Sequence, residues 1–279
     1  MSEVHVREIA DTDIAEVCAL LAEGLRPSNE FWRNAVHMLS RRPVVEGYAR
    51  YGFCLDVDGR LEGVLLLLTA RVDGIIRSNL SSWYVREPHR KFASFLYQRT
   101  IRTKGSVYLN LSPSPAALPI AKAFGFKPYT GGMLLLDARS ALKMGDASVR
   151  PLTQDLVGGL DVATRGMVEA HLGYGCTGLL LHDAAGPMVA LYRIRRLKRL
   201  IPAARFVAGD SARLAKASGA LMRAVLRRGL PLCIIDAPVD YPPAPGAFLF
   251  PGREMRYAKG GTPPGPGDLR ETELALFDF

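Results

Sequence analysis

Long apolar runs are missing from this sequence: stretches such as Val64-Leu65-Leu66-Leu67-Leu68 stop far short of the roughly 20 residues that a membrane-spanning helix needs. The opening Met1-Ser2-Glu3-Val4-His5 carries no charged-then-apolar export signal, so the expectation is a cytoplasmic protein. Cysteine is scarce as well. Cys18, Cys54, Cys176 and Cys233 stand far apart with no Cys-x-x-Cys pair, which argues against a zinc knuckle or a dense disulfide framework, leaves buried free thiols, and gives no reason to expect a metal. Acidic residues are in deficit: 27 Asp and Glu face 36 Lys and Arg, a formal net charge of +9. That sign favours an anionic partner, whether a nucleotide-containing cofactor, an acidic carrier protein or nucleic acid. No helix-turn-helix, zinc finger or aromatic-studded basic sheet accompanies the charge, so nucleic acid ranks last.

What is present repeats. The 279 residues are 48% hydrophobic and 23% charged, the balance of a globular chain with room for two domains. Val6-Arg7-Glu8-Ile9 reads as a strand, Asp11-Thr12-Asp13 as an acidic helix start, and Ile14, Val17, Leu20 and Leu21 as the apolar face behind it. The pattern returns as Val149-Arg150-Pro151-Leu152, Thr153-Gln154-Asp155 and a helical stretch with Leu156, Leu160 and Val162. Each half then offers a hairpin, 53–70 about Asp58-Gly59 and 179–194 about Ala184-Ala185-Gly186. A strand running into a helix follows, 80–85 into 88–102 and 205–208 into 211–228, and then a further strand, 107–111 or 232–235. Strand, helix, hairpin, strand, helix, strand is an α/β order, and it predicts two tandem units, each a mostly antiparallel mixed sheet flanked by helices. The joint falls at Lys143-Met144-Gly145-Asp146-Ala147, giving domains 1–143 and 144–279. Residues 242–246 and 262–267 read as loops, and 272–277 as a strand that completes a sheet.

The segment Trp83-Tyr84-Val85-Arg86-Glu87-Pro88-His89-Arg90-Lys91-Phe92-Ala93-Ser94-Phe95-Leu96 resembles the strand-loop-helix signature of the GNAT acyltransferases, with Val85 and Arg90 at that signature's spacing. Asn110-Leu111-Ser112-Pro113-Ser114-Pro115-Ala116-Ala117-Leu118, ending in Phe124-Gly125-Phe126, resembles the family's second signature, and the match covers residues 4–137. The resemblance implies a tandem GNAT-like protein with a degenerate second copy. Its first unit would bind acetyl-CoA or another acyl-CoA and move the acyl group to an amine of a small-molecule or peptide acceptor. The cofactor's diphosphate would lie on the N–H groups that open the helix after Val85, an anion trap by its dipole and its free donors. Tyr84, Val85, Arg90, Lys91, Phe92, Ala93 and Ser94 form the implied binding segment. Lys91, Ala93 and Phe95 stand where the family has small residues, and the bulky Phe95 leaves the trap intact only if it points into the sheet. The alternative is a catalytically silent module of the same fold, in which Phe92, Phe95 and Leu96 pack the helix on the sheet and nothing more.

Ala121 stands where the family has a general-acid tyrosine, so the proton for the departing thiolate would come from Tyr129, Tyr84, Ser112, Ser114 or a water. The resemblance gives Asn110, Ser112 and Tyr129 as the catalytic set, Asn110 and the serines orienting the thioester; as helix caps the same serines are equally at home. Glu87 and His89 make poor bases beside a diphosphate. His37, on the helical stretch with Phe31 and Trp32, is a candidate base on the acceptor side, and a surface histidine beside core aromatics is the plainer reading. In the second half Asp210 suits a helix cap, which would take the N–H groups that a phosphate needs. Arg193, Arg195, Arg196, Lys198 and Arg199 form the densest positive run, readable as a solvated sheet edge or as a docking patch for an acidic acyl carrier protein.

Overall fold

The computed structural model describes residues 3–198, 200–237 and 246–277. The strands are β1 (Val4–Glu8), β2 (Gly52–Val57), β3 (Arg60–Val72), β4 (Ile75–Val85), β5 (Val107–Asn110), β6 (Lys127–Pro128), β7 (Gly132–Asp137), β8 (Ser148–Pro151), β9 (Thr177–Asp183), β10 (Gly186–Leu197), β11 (Ile201–Ala208), β12 (Leu232–Ala237), β13 (Ala247–Pro251) and β14 (Tyr257–Lys259). The helices are α1 (Ile14–Gly24), α2 (Asn29–Ser40), α3 (Ala93–Thr100), α4 (Ala117–Ala123), α5 (Gln154–Gly158), α6 (Val162–Gly173), α7 (Ser211–Lys216), α8 (Ser218–Leu226) and α9 (Glu273–Leu276).

They build two seven-stranded mixed sheets, one ordered β1-β2-β3-β4-β5-β14-β6 and the other β13-β7-β12-β11-β10-β9-β8. In each, one parallel ladder, β4–β5 or β11–β12, sits among antiparallel ones. The orders correspond strand for strand, as an internal repeat demands, with one exchange. The place beside β5 is taken by β14, from late in the sequence, and the place beside β12 by β7, from before the second repeat begins. The chain accordingly divides into a compact unit of residues 1–127 with 256–263 and another of 128–255 with 264–279; the 143–147 segment lies inside the second.

In the first unit α1 buries Val17, Cys18, Leu20 and Leu21, the face its apolar spacing predicts, and α2 buries Trp32, Ala35, Val36 and Leu39. β2 and β3 are buried along nearly their whole length, as strands covered on both faces are. In the second unit Leu134, Leu179, Phe206, Leu214, Leu221 and Ile235 centre the core. Each such side chain is worth about 1.5–3 kcal/mol in area removed from water. All four cysteines are free and buried.

Three sequence expectations need correction. Residues 272–277 form not a strand but the helical turn α9, and it is Tyr257–Lys259 that joins a sheet. The helix behind Thr153 is two, α5 and α6, with Val162 exposed at the start of the second, where Asp161 caps it. The helix expected over 211–228 breaks at Ala217 into α7 and α8. Of the loop at 242–246, residues 242–245 lie outside the described residues, as does Arg199.

Candidate functional site

In the first unit β4 and β5 run parallel from Arg77 opposite Val107 to Leu80 opposite Asn110, and then part. β5 ends at Asn110, while β4 continues to Val85 with only β3 beside it. The parting has a local cause. Leu66 pairs Ser81 and Leu65 pairs Trp83, so Ser82 is an extra residue, and its φ of +53° lies in the left-handed region. Such a bulge re-aims its strand, and a non-glycine residue held at positive φ costs of the order of 1–3 kcal/mol, strain of a kind that gathers at functional sites. Ser81 and Ser82 share a hydroxyl contact of 3.0 Å. Beyond them the β4 edge that faced β5 carries backbone groups with no strand alongside.

After Val85 the chain does not open straight into an α-helix. A 3-10 helix, Glu87–Phe92, comes first, with Pro88 early in it, where a missing N–H costs nothing. His89 N–H donates to Arg86 O at 3.0 Å and Ala93 N–H to Arg90 O, so two of the amides expected to be free are taken within the turn. Side chains supply the positive field instead. Arg90 and Lys91 are exposed, Lys91 Nζ lies 5.1 Å from the Phe92 ring centroid, and Arg90 has no hydrogen bond or ion pair among the described residues. Ser94 is exposed and Ala93 half-buried. Phe95 points away from the sheet, 52% exposed; Leu96, Tyr97 and Thr100 are the buried face of α3.

Tyr84 is fixed by its neighbours. Its ring lies on Gly24 at the end of α1, so close that a Cβ there would fall 2.0 Å from Cδ2. Its hydroxyl donates to Glu23 Oε1 at 3.2 Å, and burial, with Glu23 beside it, raises its pKa. Arg86 holds Glu23 at 2.7 Å and reaches Glu62 at 3.3 Å; His89 Nε2 is 3.8 Å from the same Glu62. A tyrosine whose proton is committed to a carboxylate is a poor acid for a leaving group.

Asn110, buried at the end of β5, donates from Nδ2 to the Tyr97 hydroxyl at 3.2 Å. Tyr97 packs among Trp83, Phe124 and Phe126, with ring centroids 5.1, 5.5 and 5.9 Å away. Ser114 Oγ, in the turn before α4, accepts from Ala117 N–H at 3.2 Å, and Ala121 is fully buried within that helix. Ser112 follows β5, next to Leu111, whose carbonyl accepts from Arg256. Tyr129 belongs to the second unit, half-buried between β6 and β7. His37 is exposed on α2, Trp32 is buried beneath it, and Phe31 meets Trp32 edge-on at 5.1 Å. Sequence reasoning missed Ser81, Ser82 and Tyr97. Spacing from Leu96 points to the last, since Tyr97 and Thr100 share its buried face.

The second unit repeats the split. β11 and β12 stay parallel as far as Arg205 opposite Ile234, and Val207, two residues on as Ser82 is from Leu80, is the extra residue. Here the gap is filled. Leu269 N–H donates to Val207 O at 2.9 Å and Ser211 N–H to Pro266 O at 3.4 Å. Gly267, at φ +87°, lies where a Cβ would fall 2.6 Å from Gly209 O. Asp210 caps α7 through Arg213 N–H at 2.8 Å. Arg205 and Asp236 form a buried pair at 2.6 Å, and burial pushes the Asp236 carboxyl up to about 6. In the positive run Arg193 is spent on the carbonyls of Ala275 and Leu276, and Arg195 on Glu254 at 2.9 Å, leaving Arg196 and Lys198.

Solved structures carry the same fold. A tandem GNAT protein from the clavulanic acid biosynthesis pathway superposes with a TM-score of 0.55 at 16% identity over 94% of this chain and 100% of its own. The fold is that of a tandem GNAT protein. A GCN5-related N-acetyltransferase from Anabaena variabilis gives a TM-score of 0.61 at 9% identity, covering 92% of this chain and 72% of that one. Another, from Kribbella flavida, gives 0.54 at 13% identity, covering 92% and 71%. No family model and no curated protein matches the sequence. Among the described residues, no helix is long and apolar enough to cross a membrane, and no group of three or more His, Cys, Asp and Glu could hold a metal ion.

Proposed function

We propose that the first unit is an N-acyltransferase that takes an acyl group, acetyl in the simplest case, from acyl-CoA to an amine on a small molecule or peptide. The observation that carries this reading is the split between β4 and β5 at the Ser82 bulge. The repeat supports it from within the molecule: at the equivalent split the chain's own 265–269 turn sits at the strand edge, Leu269 N–H donating to Val207 O at 2.9 Å. A pantetheine arm also carries amides, and in the first unit the edge at residues 81–85 leaves backbone groups for them. Acyl transfer needs a polarised carbonyl and a held attack geometry, and backbone donors fixed on a strand supply both without reorganising. Val85 N–H faces that open edge, since Arg86 N–H donates to Glu62 O and the alternation of the ladder turns Tyr84 N–H toward β3; Arg90 and Lys91, at the mouth of the turn, neutralise the diphosphate in place of the two amides the 3-10 helix has used. Phe95 is exposed and does not turn into the sheet, so the condition set for an intact amide trap is not met, and in this reading the two cations rather than the amides hold the diphosphate.

Calorimetry with acetyl-CoA and longer acyl-CoAs tests the proposal. Binding is expected, and Arg90→Ala weakens it about tenfold or more, the loss of one charge-assisted contact. Folded protein that binds no member of the series rejects it.

A further inference from the structure

Resting on that reading of the first unit, the geometry points to Tyr97 as the group that donates a proton to the departing thiolate. A hydroxyl suited to this must lie where β4 and β5 separate, with its own proton uncommitted. Tyr84 gives its proton to Glu23, and the Ser114 oxygen is held by Ala117 N–H at the start of α4, away from Asn110 at the end of β5. Ser81 and Ser82 are bonded to each other, and a serine hydroxyl is a far weaker acid than a phenol. α4 offers only Ala121.

Tyr97 reaches the place from α3. Its ring touches Trp83, one residue beyond the bulge on β4, at 5.1 Å between centroids, and its oxygen accepts from Asn110, the last paired residue of β5. Tyr97 therefore joins the two strands where they part, its ring on Trp83 and its oxygen on Asn110, with the residue 1% exposed. It accepts one hydrogen bond and has no acceptor for its own proton among the described residues. Phe124 and Phe126 fix the ring from the far side, so the hydroxyl is aimed by packing.

The step balances as follows. The amine nitrogen forms a bond to the thioester carbonyl carbon, the C–S bond breaks, and sulfur leaves with the electron pair. Tyr97 gives its proton to that sulfur, becoming a phenolate that the Asn110 N–H stabilises. The nitrogen loses its extra proton to water, and water reprotonates Tyr97. Burial holds the phenol's pKa well above its ordinary value, and the apolar surroundings that do so disfavour a free thiolate as well.

The test compares wild type with Tyr97→Phe, which keeps the ring stack and removes only the oxygen. Calorimetry measures affinity for acetyl-CoA, and thiolate absorbance against pH measures the titration of bound coenzyme A. The expected result is an acetyl-CoA affinity unchanged within about threefold and a bound thiol whose pKa is higher in the variant by about one unit, since its thiolate has lost a hydrogen-bond donor. With an amine panel, kcat falls about a hundredfold or more, KM stays nearly constant, and thiophenyl esters, whose leaving group needs no proton, recover most of the rate. Wild-type protein that binds acetyl-CoA while the bound thiol titrates alike in both forms overturns the Tyr97 assignment alone. Tighter binding by the variant does so too, showing the hydroxyl to be an obstruction. Wild-type protein that binds neither acetyl-CoA nor coenzyme A overturns this assignment together with the reading it rests on.

Discussion

A methyl group on Gly24 has nowhere to go, because the ring of Tyr84 occupies the space on that side of α1. Gly24→Ala is therefore expected to push Tyr84 off its seat and loosen the Glu23–Arg86 contact that anchors the end of β4, lowering stability by about 1–3 kcal/mol as overpacking does. Thermal melts check it; an unchanged Tm contradicts the packing described. Gly267→Ala meets a backbone oxygen and not a ring, and its φ of +87° is left-handed as well, so its cost is expected to match or exceed that of Gly24→Ala. Neither position announces itself in the sequence, since a glycine's need for space is set by a residue far along the chain. The same limit hid Ser82: nothing in Ser81-Ser82-Trp83 distinguishes a bulge from a regular strand, and only the pairing with β3 reveals the extra residue.

At the scale of elements, the strands and helices with a clear period were legible, and those held by distant partners were not. α1 and the hairpin strands β2 and β3 lie where their apolar spacing puts them. β14 is three residues long with no period to read, and β5 makes it a strand by offering Asn110, Leu109 and Tyr108 as partners. The 272–277 tail looks extended by composition, yet it forms a turn of helix whose Ala275 and Leu276 carbonyls accept from Arg193. The start of α3 was legible only in part: Val85 and Arg90 mark the strand end and the charge, but the 3-10 helix follows from Pro88 and the absence of glycine. One element contact carries a pH dependence. Arg7 on β1 grips Asp13 at the head of α1 at 2.6 Å, and this hydrogen-bonded guanidinium holds the Asp13 carboxyl below its ordinary 3.8. The contribution is thus present above pH 3.8 and lost as pH falls through the lower, folded value. Asp13→Asn should cost of the order of 1 kcal/mol near neutrality, discounted for the exposure of Arg7, and the gap from wild type should close in denaturant titrations taken into acid. A gap independent of pH contradicts the pairing.

Over the whole molecule, the reciprocal placement of β7 and β14 means that neither half of the sequence contains a complete sheet. Residues 144–279 expressed alone lack β7, the strand between β13 and β12, and 1–143 alone lack β14, the strand between β5 and β6. Each fragment is expected to unfold without a cooperative transition, and mixing them on refolding to restore one; cooperative melting of either alone refutes this. The duplication itself was readable from the recurrence of Val-Arg and of the two hairpins, whereas the exchange was not, because it depends on which edge each late strand meets. The two splits then differ in what fills them. Leu269, leaving the 265–268 turn, takes the Val207 carbonyl of β11 in the second unit, and the corresponding β4 edge in the first is where a donor is proposed to lie. The most direct test is the stoichiometry of acetyl-CoA binding to the intact chain by calorimetry. One molecule per chain, abolished or sharply weakened by Arg90→Ala, is the result predicted; none, or two, contradicts it.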